Sequence, residues 1–193
     1  MIINLEKTES TNDYLKNLIK SGQTGRMAVI AGEQSSGRGC GERSFYSPSG
    51  GLYLSYAMYP ETSPEDTIGI TRCAGVAVRR ALRSLYPDAD IRIKPVNDLY
   101  LNGHKICGIL TELSRGALVI GVGVNVNTLS FPEELNASSL LIETGTETDI
   151  DSVARALLCE LERLDASWPA CLEPYEEEYR QNLLPDSDLS CGD

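Results

Sequence analysis

The chain of 193 residues contains one histidine, one tryptophan and two phenylalanines, and aromatic residues make up only 6% of it. A single histidine, His104, disfavours multi-histidine metal sites and most Ser–His or Cys–His nucleophilic machinery. No apolar run reaches the ~18 residues that a membrane span requires. The start, MIINLEKTES, lacks the apolar centre of a signal peptide. The six cysteines, Cys40, Cys73, Cys107, Cys159, Cys171 and Cys191, form no CxxC pair. A chain of this length does not depend on disulfide staples, so reduced thiols and a cytoplasmic location are expected. Positive charge is scarce: 17 Lys and Arg stand against 28 Asp and Glu, for a net charge of −11. That balance argues against nonspecific nucleic-acid binding.

The deficit is uneven. Residues 1–130 carry 14 basic and 12 acidic side chains, whereas residues 131–193 carry 3 and 16. The acidic third reads as solvated helical surface. The front two-thirds holds the positive charge that an anionic ligand would require. With 41% hydrophobic residues the chain can bury a core, and its length suits one domain with room for a small appendage.

Periodicity gives the elements. Ser10-Thr11-Asn12 precedes apolar residues at Tyr14, Leu15, Leu18 and Ile19, which predicts a helix with a polar N-cap that ends near Ser21-Gly22. Met27–Ala31 and Leu52–Tyr59 read as buried strands, joined by a long Gly- and Ser-rich loop over 32–51. Asp66–Tyr86 predicts a long helix. Ile91 and Ile93 alternate with Arg92 and Lys94, the period of a strand. Leu99–Leu101 and Ile106–Leu113 flank Asn102-Gly103, a strong hairpin signal, and Ala117–Val126 reads as a further strand. Asp151–Leu164 and Glu173–Gln181 predict helices, with Trp168 closing the first and packing on the core. Consecutive hairpins imply an α+β chain with a largely antiparallel or mixed sheet rather than βαβ alternation.

Three segments hold residue types suited to anion chemistry. Gly37-Arg38-Gly39-Cys40-Gly41-Glu42-Arg43-Ser44-Phe45 is not a Walker A loop, because no Gly-Lys-Ser/Thr follows, and it leads into a strand rather than a helix. Its glycines allow close backbone approach, and its arginines can fork onto phosphate or carboxylate oxygens. The same composition also describes an ordinary surface loop. Lys94, before Pro95 and Asn97-Asp98, reads either as a point charge at a rigid strand end or as a solvated lysine beside a turn. Lys105 is open to the same two readings. Gly121 and Gly123 interrupt an apolar strand, which requires something close above them; a crossing backbone is the simplest choice and a ligand the alternative. Asn125 suits either a ligand or a buried backbone group. His104 reads as an exposed turn residue, and Cys73 and Cys107 as core.

Taken in order, Ser10-Thr11-Asn12, Gly37-Arg38-Gly39 with Arg43 to Pro48, Lys94 with Asn97-Asp98, Lys105 to Leu110, and Gly121 to Asn125 resemble the catalytic domain of the biotin–protein ligases. These enzymes attach biotin to acetyl-CoA carboxylase. The resemblance runs from Leu5 to Arg180. It implies a mixed, largely antiparallel sheet flanked by helices, related to class II aminoacyl-tRNA synthetases and lipoate ligases. It implies ATP, Mg2+ and biotin as ligands, and the biotin carboxyl carrier protein of acetyl-CoA carboxylase as partner. The catalytic domain is expected over residues 1–182. Residues 183–193 would form a tail where the small C-terminal β-barrel of relatives begins, and that barrel is expected to be absent. With no helix-turn-helix before Met1, a monofunctional ligase without DNA or membrane partner is expected, with homodimerisation left open.

By the same resemblance, Ser10, Thr11, Asn12, Gln34, Gly37 and Gly108 surround biotin, whose ureido ring offers two N–H donors and a carbonyl. Arg38 and Lys94 meet carboxylate and phosphate, with Lys94 the first choice for the activated α-phosphate. Gly39, Arg43, Phe45, Asn97, Lys105, Gly121, Gly123 and Asn125 lie toward the nucleotide. No metal ligands are assigned. The polar set around Gln34 disfavours a lipoate or octanoate ligase, since an alkyl or dithiolane tail cannot satisfy it. Departures from the family pattern leave a non-catalytic biotin-binding module as an alternative. Cys40 stands where arginine is usual, Pro95 where tryptophan is usual, and Glu42 where glycine is common. The loop at Ser49-Gly50-Gly51 is one residue short.

Overall fold

The computed structural model describes residues 1–60 and 67–185. The expected helix start at Asp66, most of the expected tail and Cys191 lie outside the described residues. Among those residues the chain runs β1 (Ile2–Leu5), α1 (Thr11–Lys20), β2 (Met27–Ala31), β3 (Leu52–Met58), α2 (Thr67–Leu85), β4 (Arg92–Lys94), β5 (Asp98–Leu101), β6 (His104–Ser114), β7 (Ala117–Val124), α3 (Leu140–Thr144), α4 (Ile150–Ser167) and α5 (Leu172–Gln181). The strands form one sheet in the order β1-β2-β3-β7-β6-β5-β4. β1 and β2 are parallel and the other neighbours antiparallel. The α+β, mixed and largely antiparallel architecture read from the hairpins is therefore the observed one. The sequence reading missed the short β1 and α3.

Local signals explain the boundaries. Ser10 is extended, and its hydroxyl accepts from the Asp13 backbone N–H, capping α1. Asn102 and Gly103 both have positive φ, 53° and 85°, which turns β5 into β6. Trp168 caps the C-terminal end of α4 and packs against the core.

Helices α2, α4 and α5 cover one face of the sheet with the main apolar core, which includes Leu54, Tyr56, Ile70, Leu82, Ile120, Val122 and Leu157. On the other face α1 covers a small cluster of Leu15, Ile19, Met27, Val29, Ala57, Ala117 and Val119. That helix crosses only part of the sheet and leaves the β3–β7–β6 end open. Backbone bonds from Thr8 N–H to the Glu33 carbonyl (3.2 Å) and from Ser35 N–H to the Thr8 carbonyl (3.0 Å) bind the start of α1 to the loop after β2. Ser10-Thr11-Asn12 thereby stands beside Gln34.

The chain after α5 returns to edge strand β4. Ile93 N–H donates to the Asn182 carbonyl and Leu184 N–H to the Ile93 carbonyl, both at 2.8 Å. The expected boundary at 182 thus falls inside a pairing that extends to Leu184 and covers this sheet edge.

Candidate active site

The open end of the sheet forms a cleft lined by residues of α1, β3, β6, β7 and the loop after β2. Period-two alternation makes its floor. On β7, Leu118, Ile120, Val122 and Val124 belong to the main core, so Gly121 and Gly123 face the other way. A Cβ at Gly121 would strike the Asn12 amide, and one at Gly123 would meet the Phe45 ring at 2.5 Å. A Cβ at Gly108 of β6 would come within 2.8 Å of the same ring. The strand glycines are therefore required by side chains from α1 and the glycine-rich loop. The crossing backbone favoured from the sequence is not what lies above them.

One wall is polar. Gln34 Oε1 accepts from the Thr11 backbone N–H at 2.8 Å and lies 3.1 Å from the Thr11 hydroxyl. Its Nε2 donates to Ser47 Oγ at 3.0 Å, and Ser47 donates to the Phe45 carbonyl at 2.9 Å. Behind this wall, buried Ser55 of β3 lies 2.8 Å from Thr11 Oγ1 and 2.5 Å from Asn12 Oδ1. Asn12 Nδ2 donates to Glu112 Oε2 at 2.8 Å. Ser55, Tyr53 and Glu112 were not singled out from the sequence. Their signal was the polar alternation within β3 and β6, hidden in runs that read as apolar throughout.

The rim is cationic, with Arg38, Arg43 and Lys105 in the lining. The long loop is a closed excursion: Phe45 N–H donates to the Gly37 carbonyl (2.8 Å) and Gly39 N–H to the Arg43 carbonyl (2.7 Å). Arg38 pairs with Glu112 and with Asp13 at 3.0 Å. Burial pulls the Arg38 guanidinium down, but Glu112 and then Asp13 outweigh it and hold its pKa above the ordinary value. Burial likewise raises Glu112, and hydrogen bonds from Arg38, Lys16 and Asn12 reverse this, leaving its carboxyl below the usual range.

Lys105 reaches the cleft through a β-bulge. Leu99 faces Cys107 but Tyr100 faces Lys105, so Ile106 is one residue extra on β6. Ile106 and Cys107 both point into the core, and Lys105 shares the cleft side with Gly108. Its Nζ lies 2.6 Å from Asp98 Oδ2 and 5.6 Å from the Phe45 ring centre. Its backbone is gripped by Asn136, whose carbonyl accepts from Lys105 N–H (3.1 Å), and by Ser138, whose N–H donates to the Lys105 carbonyl (2.9 Å).

Thus the structure brings Ser10, Thr11, Asn12, Gln34, Arg38, Gly39, Arg43, Phe45, Asn97, Lys105, Gly108, Gly121 and Gly123 into one lining, with Cys40 and Asp98. Three expected residues are not in it. Lys94, on edge strand β4, lies over the Tyr100 ring, 5.5 Å from its centre. Asn125 is buried and donates to the Ser138 carbonyl at 2.8 Å, bracing the segment that holds Lys105. Gly37 is buried where a Cβ would strike Ser47 and the Phe45 carbonyl, so it serves the loop's own packing.

His104 is exposed and pairs with Glu143 at 3.2 Å. Cys73 and Cys107 are core, and burial pushes the Cys73 thiol up to about 12, out of nucleophilic range. Among the described residues no group of three or more His, Cys, Asp or Glu is placed to hold a metal ion, and no helix is long and apolar enough to cross a membrane.

A seven-stranded mixed sheet thus carries a glycine floor, a polar wall and a cationic rim at one open end. The chain belongs to the biotin/lipoate A/B protein ligase family, whose model matches residues 5–128. It is 35% identical over 178 residues to the bifunctional ligase/repressor BirA of Escherichia coli, a match that covers 88% of this chain and 53% of that protein. It is 31% identical over 185 residues to the biotin–[acetyl-CoA-carboxylase] ligase of Mycobacterium tuberculosis, covering 92% of this chain and 69% of that protein. The biotin protein ligase from Aquifex aeolicus, solved in complex with biotin and ATP, superposes with a TM-score of 0.85 at 28% identity, over 95% of this chain and 78% of that one. The chain thus spans about half the length of the first of these relatives.

Proposed function

We propose that the chain is the catalytic unit of a biotin–protein ligase. It joins biotin to ATP as biotinyl-adenylate and then transfers biotin to a lysine of the carrier domain of acetyl-CoA carboxylase. The carrying observation is that a donor–acceptor wall suited to a ureido ring and a cationic rim suited to carboxylate and phosphate line one cleft. The family membership supports the same reading.

In the first step a biotin carboxylate oxygen attacks the α-phosphorus, a P–O bond forms, and the bond to pyrophosphate breaks. The carboxylate is already ionised at neutral pH, so no general base is required. The barrier is electrostatic, because two anions must meet and charge moves onto the leaving group. In this reading Lys105 and Arg38 receive the carboxylate and α-phosphate, and Arg43 holds the loop over the nucleotide. Lys105 takes the role expected of Lys94, since it is the lysine in the lining. Ser10, Thr11, Asn12 and Gln34 meet the ureido ring. Phe45 closes over the glycine floor and excludes water. In the second step the carrier lysine's neutral amine attacks the acyl carbon and AMP leaves. Cys40 adds no positive charge, so retention of the adenylate falls to Arg43 and Lys105.

Mg2+ is bound in such sites by one or two carboxylates together with substrate phosphates. Asp98, the carboxylate in the lining among the described residues, fits that donor set. Bound there with ATP, the ion would offset phosphate charge.

Residues 1–184, including the strand-like return to β4, form the unit to which this reading applies. The acidic balance of these residues disfavours nonspecific binding of DNA, in keeping with the ligase reading. Homodimerisation stays open at β1, the sheet edge opposite the covered one. The test is biotin-dependent exchange between ATP and pyrophosphate, together with streptavidin detection of biotin on a purified carrier domain. Both signals are expected, each dependent on ATP. Exchange with lipoate but not biotin would overturn the proposal.

A further inference from the structure

Backbone bonds on either side of Arg38 hold its place in the loop, from Phe45 N–H to the Gly37 carbonyl and from Gly39 N–H to the Arg43 carbonyl. The direction of its long side chain is a separate matter. Two carboxylates from different elements anchor it, and both meet the same terminal nitrogen. Arg38 Nη2 donates to Glu112 Oε2 of β6 and lies 3.0 Å from Asp13 Oδ1 of α1. Such a nitrogen carries two protons, so these contacts use both. Nη1 and Nε take no part in the pairing, and Nε is buried without a hydrogen-bond partner among the described residues. Lys16 Nζ closes the set, 2.9 Å from Asp13 Oδ1 and 2.8 Å from Glu112 Oε1. Two cations and two anions thus alternate with no net charge.

A carboxylate beside Arg38 lowers the positive potential that an anionic ligand meets. If charge were their whole effect, Asp13 and Glu112 would work against the cleft that Arg38 lines. Their geometric effect has the opposite sign. An arginine at a partly exposed rim samples many rotamers, and a ligand would have to order it on binding. Pinned at one nitrogen by two acceptors, the guanidinium is already ordered. A buried N–H without an acceptor is then available to a ligand oxygen.

We infer that Asp13 and Glu112 are positioning residues for Arg38: they take up one nitrogen of its guanidinium so that Nε and Nη1 are held for an anionic ligand oxygen. Lys16 balances the second carboxylate and keeps the set neutral. The inference rests on the reading of the cleft as a site for biotin and ATP.

The test is the rate of biotin-dependent exchange between ATP and pyrophosphate in the full chain at saturating substrates. Glu112→Gln and Asp13→Asn each add one positive charge to the rim. A field effect alone would leave the rate unchanged or raise it. Positioning lowers it, by about 10-fold or more for the more buried Glu112 and by about threefold for Asp13. In an Arg38→Met background, Glu112→Gln should change the residual rate by less than about twofold, because the group it acts through is gone. A Glu112→Gln rate at or above that of the starting protein overturns the inference. So does an equal fold loss in the Arg38→Met background, which would assign the loss to packing. Asp13→Asn, at a half-exposed side chain, gives the same comparison should Glu112→Gln fold poorly. A ligand-free readout separates this from failure of the biotin reading. NMR should show slow exchange of the Arg38 Nε proton with water in the starting protein, and exchange at least about tenfold faster in Glu112→Gln. Fast exchange in the starting protein, or an unchanged rate in the variant, overturns the inference whatever ligand the cleft takes.

Discussion

Along β7, Leu118, Ile120, Val122 and Val124 point toward α2 and its neighbours, while Ala117, Val119, Gly121 and Gly123 point toward α1 and the cleft. β3 divides in the same way, with Leu52, Leu54, Tyr56 and Met58 against Tyr53, Ser55 and Ala57. One face is filled by large aliphatic side chains and is sealed by three helices. The other steps down in side-chain size, from Val119 to Gly121 to Gly123, until the backbone itself is the surface. The contrast shows how a single sheet separates stability from chemistry. The burial that holds the strands lies on one side, and the other side is left free to carry polar groups that would weaken a core.

The contrast predicts opposite consequences on the two faces. The largest effect belongs to the cleft. Lys105→Met should lower biotin-dependent pyrophosphate exchange by about 10²–10³-fold, the usual cost of a preorganised charge contact, with the thermal midpoint little changed. Lys94→Met, on the edge strand, should lower it by no more than about threefold. Equal losses for the two lysines would break the comparison. On the sealed face, Leu54→Ala should cost about 2–5 kcal/mol in denaturant unfolding and leave biotin affinity in the folded protein unchanged. The smallest effect is that of acid. The depressed Glu112 carboxyl contributes stability above the ordinary carboxylate value of 4.5, and that contribution is lost as pH falls through its lower folded value. The melting-temperature gap between the starting protein and Glu112→Gln, about 2–4 °C at pH 7, should therefore close as pH drops below 4.5. A gap that is constant with pH would assign the effect to shape rather than charge.

Much of the fold was legible in the sequence, because its elements depend on local signals. The Ser10 cap, the Asn102-Gly103 turn and the spacing in α2 each act within a few residues. The cleft was legible only in part. Gly121 and Gly123 announced a close approach, yet what approaches, Asn12 and Phe45, lies far away in the chain. Ser55 and Glu112 were obscured because a polar residue on the hidden side of an apolar run has meaning only once its neighbours are known. Lys94 and Lys105 both flank turns, and spacing alone cannot tell which one faces the ligand. Strict alternation from Gly108 would put Lys105 on the wrong side, and only the extra residue at Ile106 corrects this.

That extra residue turns the hairpin into an indexing device. The identity of the lysine matters less than how the residues between it and the glycine floor are paired. Regular pairing through Ile106, with no bulge, would keep every side chain of the cleft in the chain, yet rotate the ammonium into the hydrocarbon interior. Two relatives with the same residues and a different pairing there would have different chemistry.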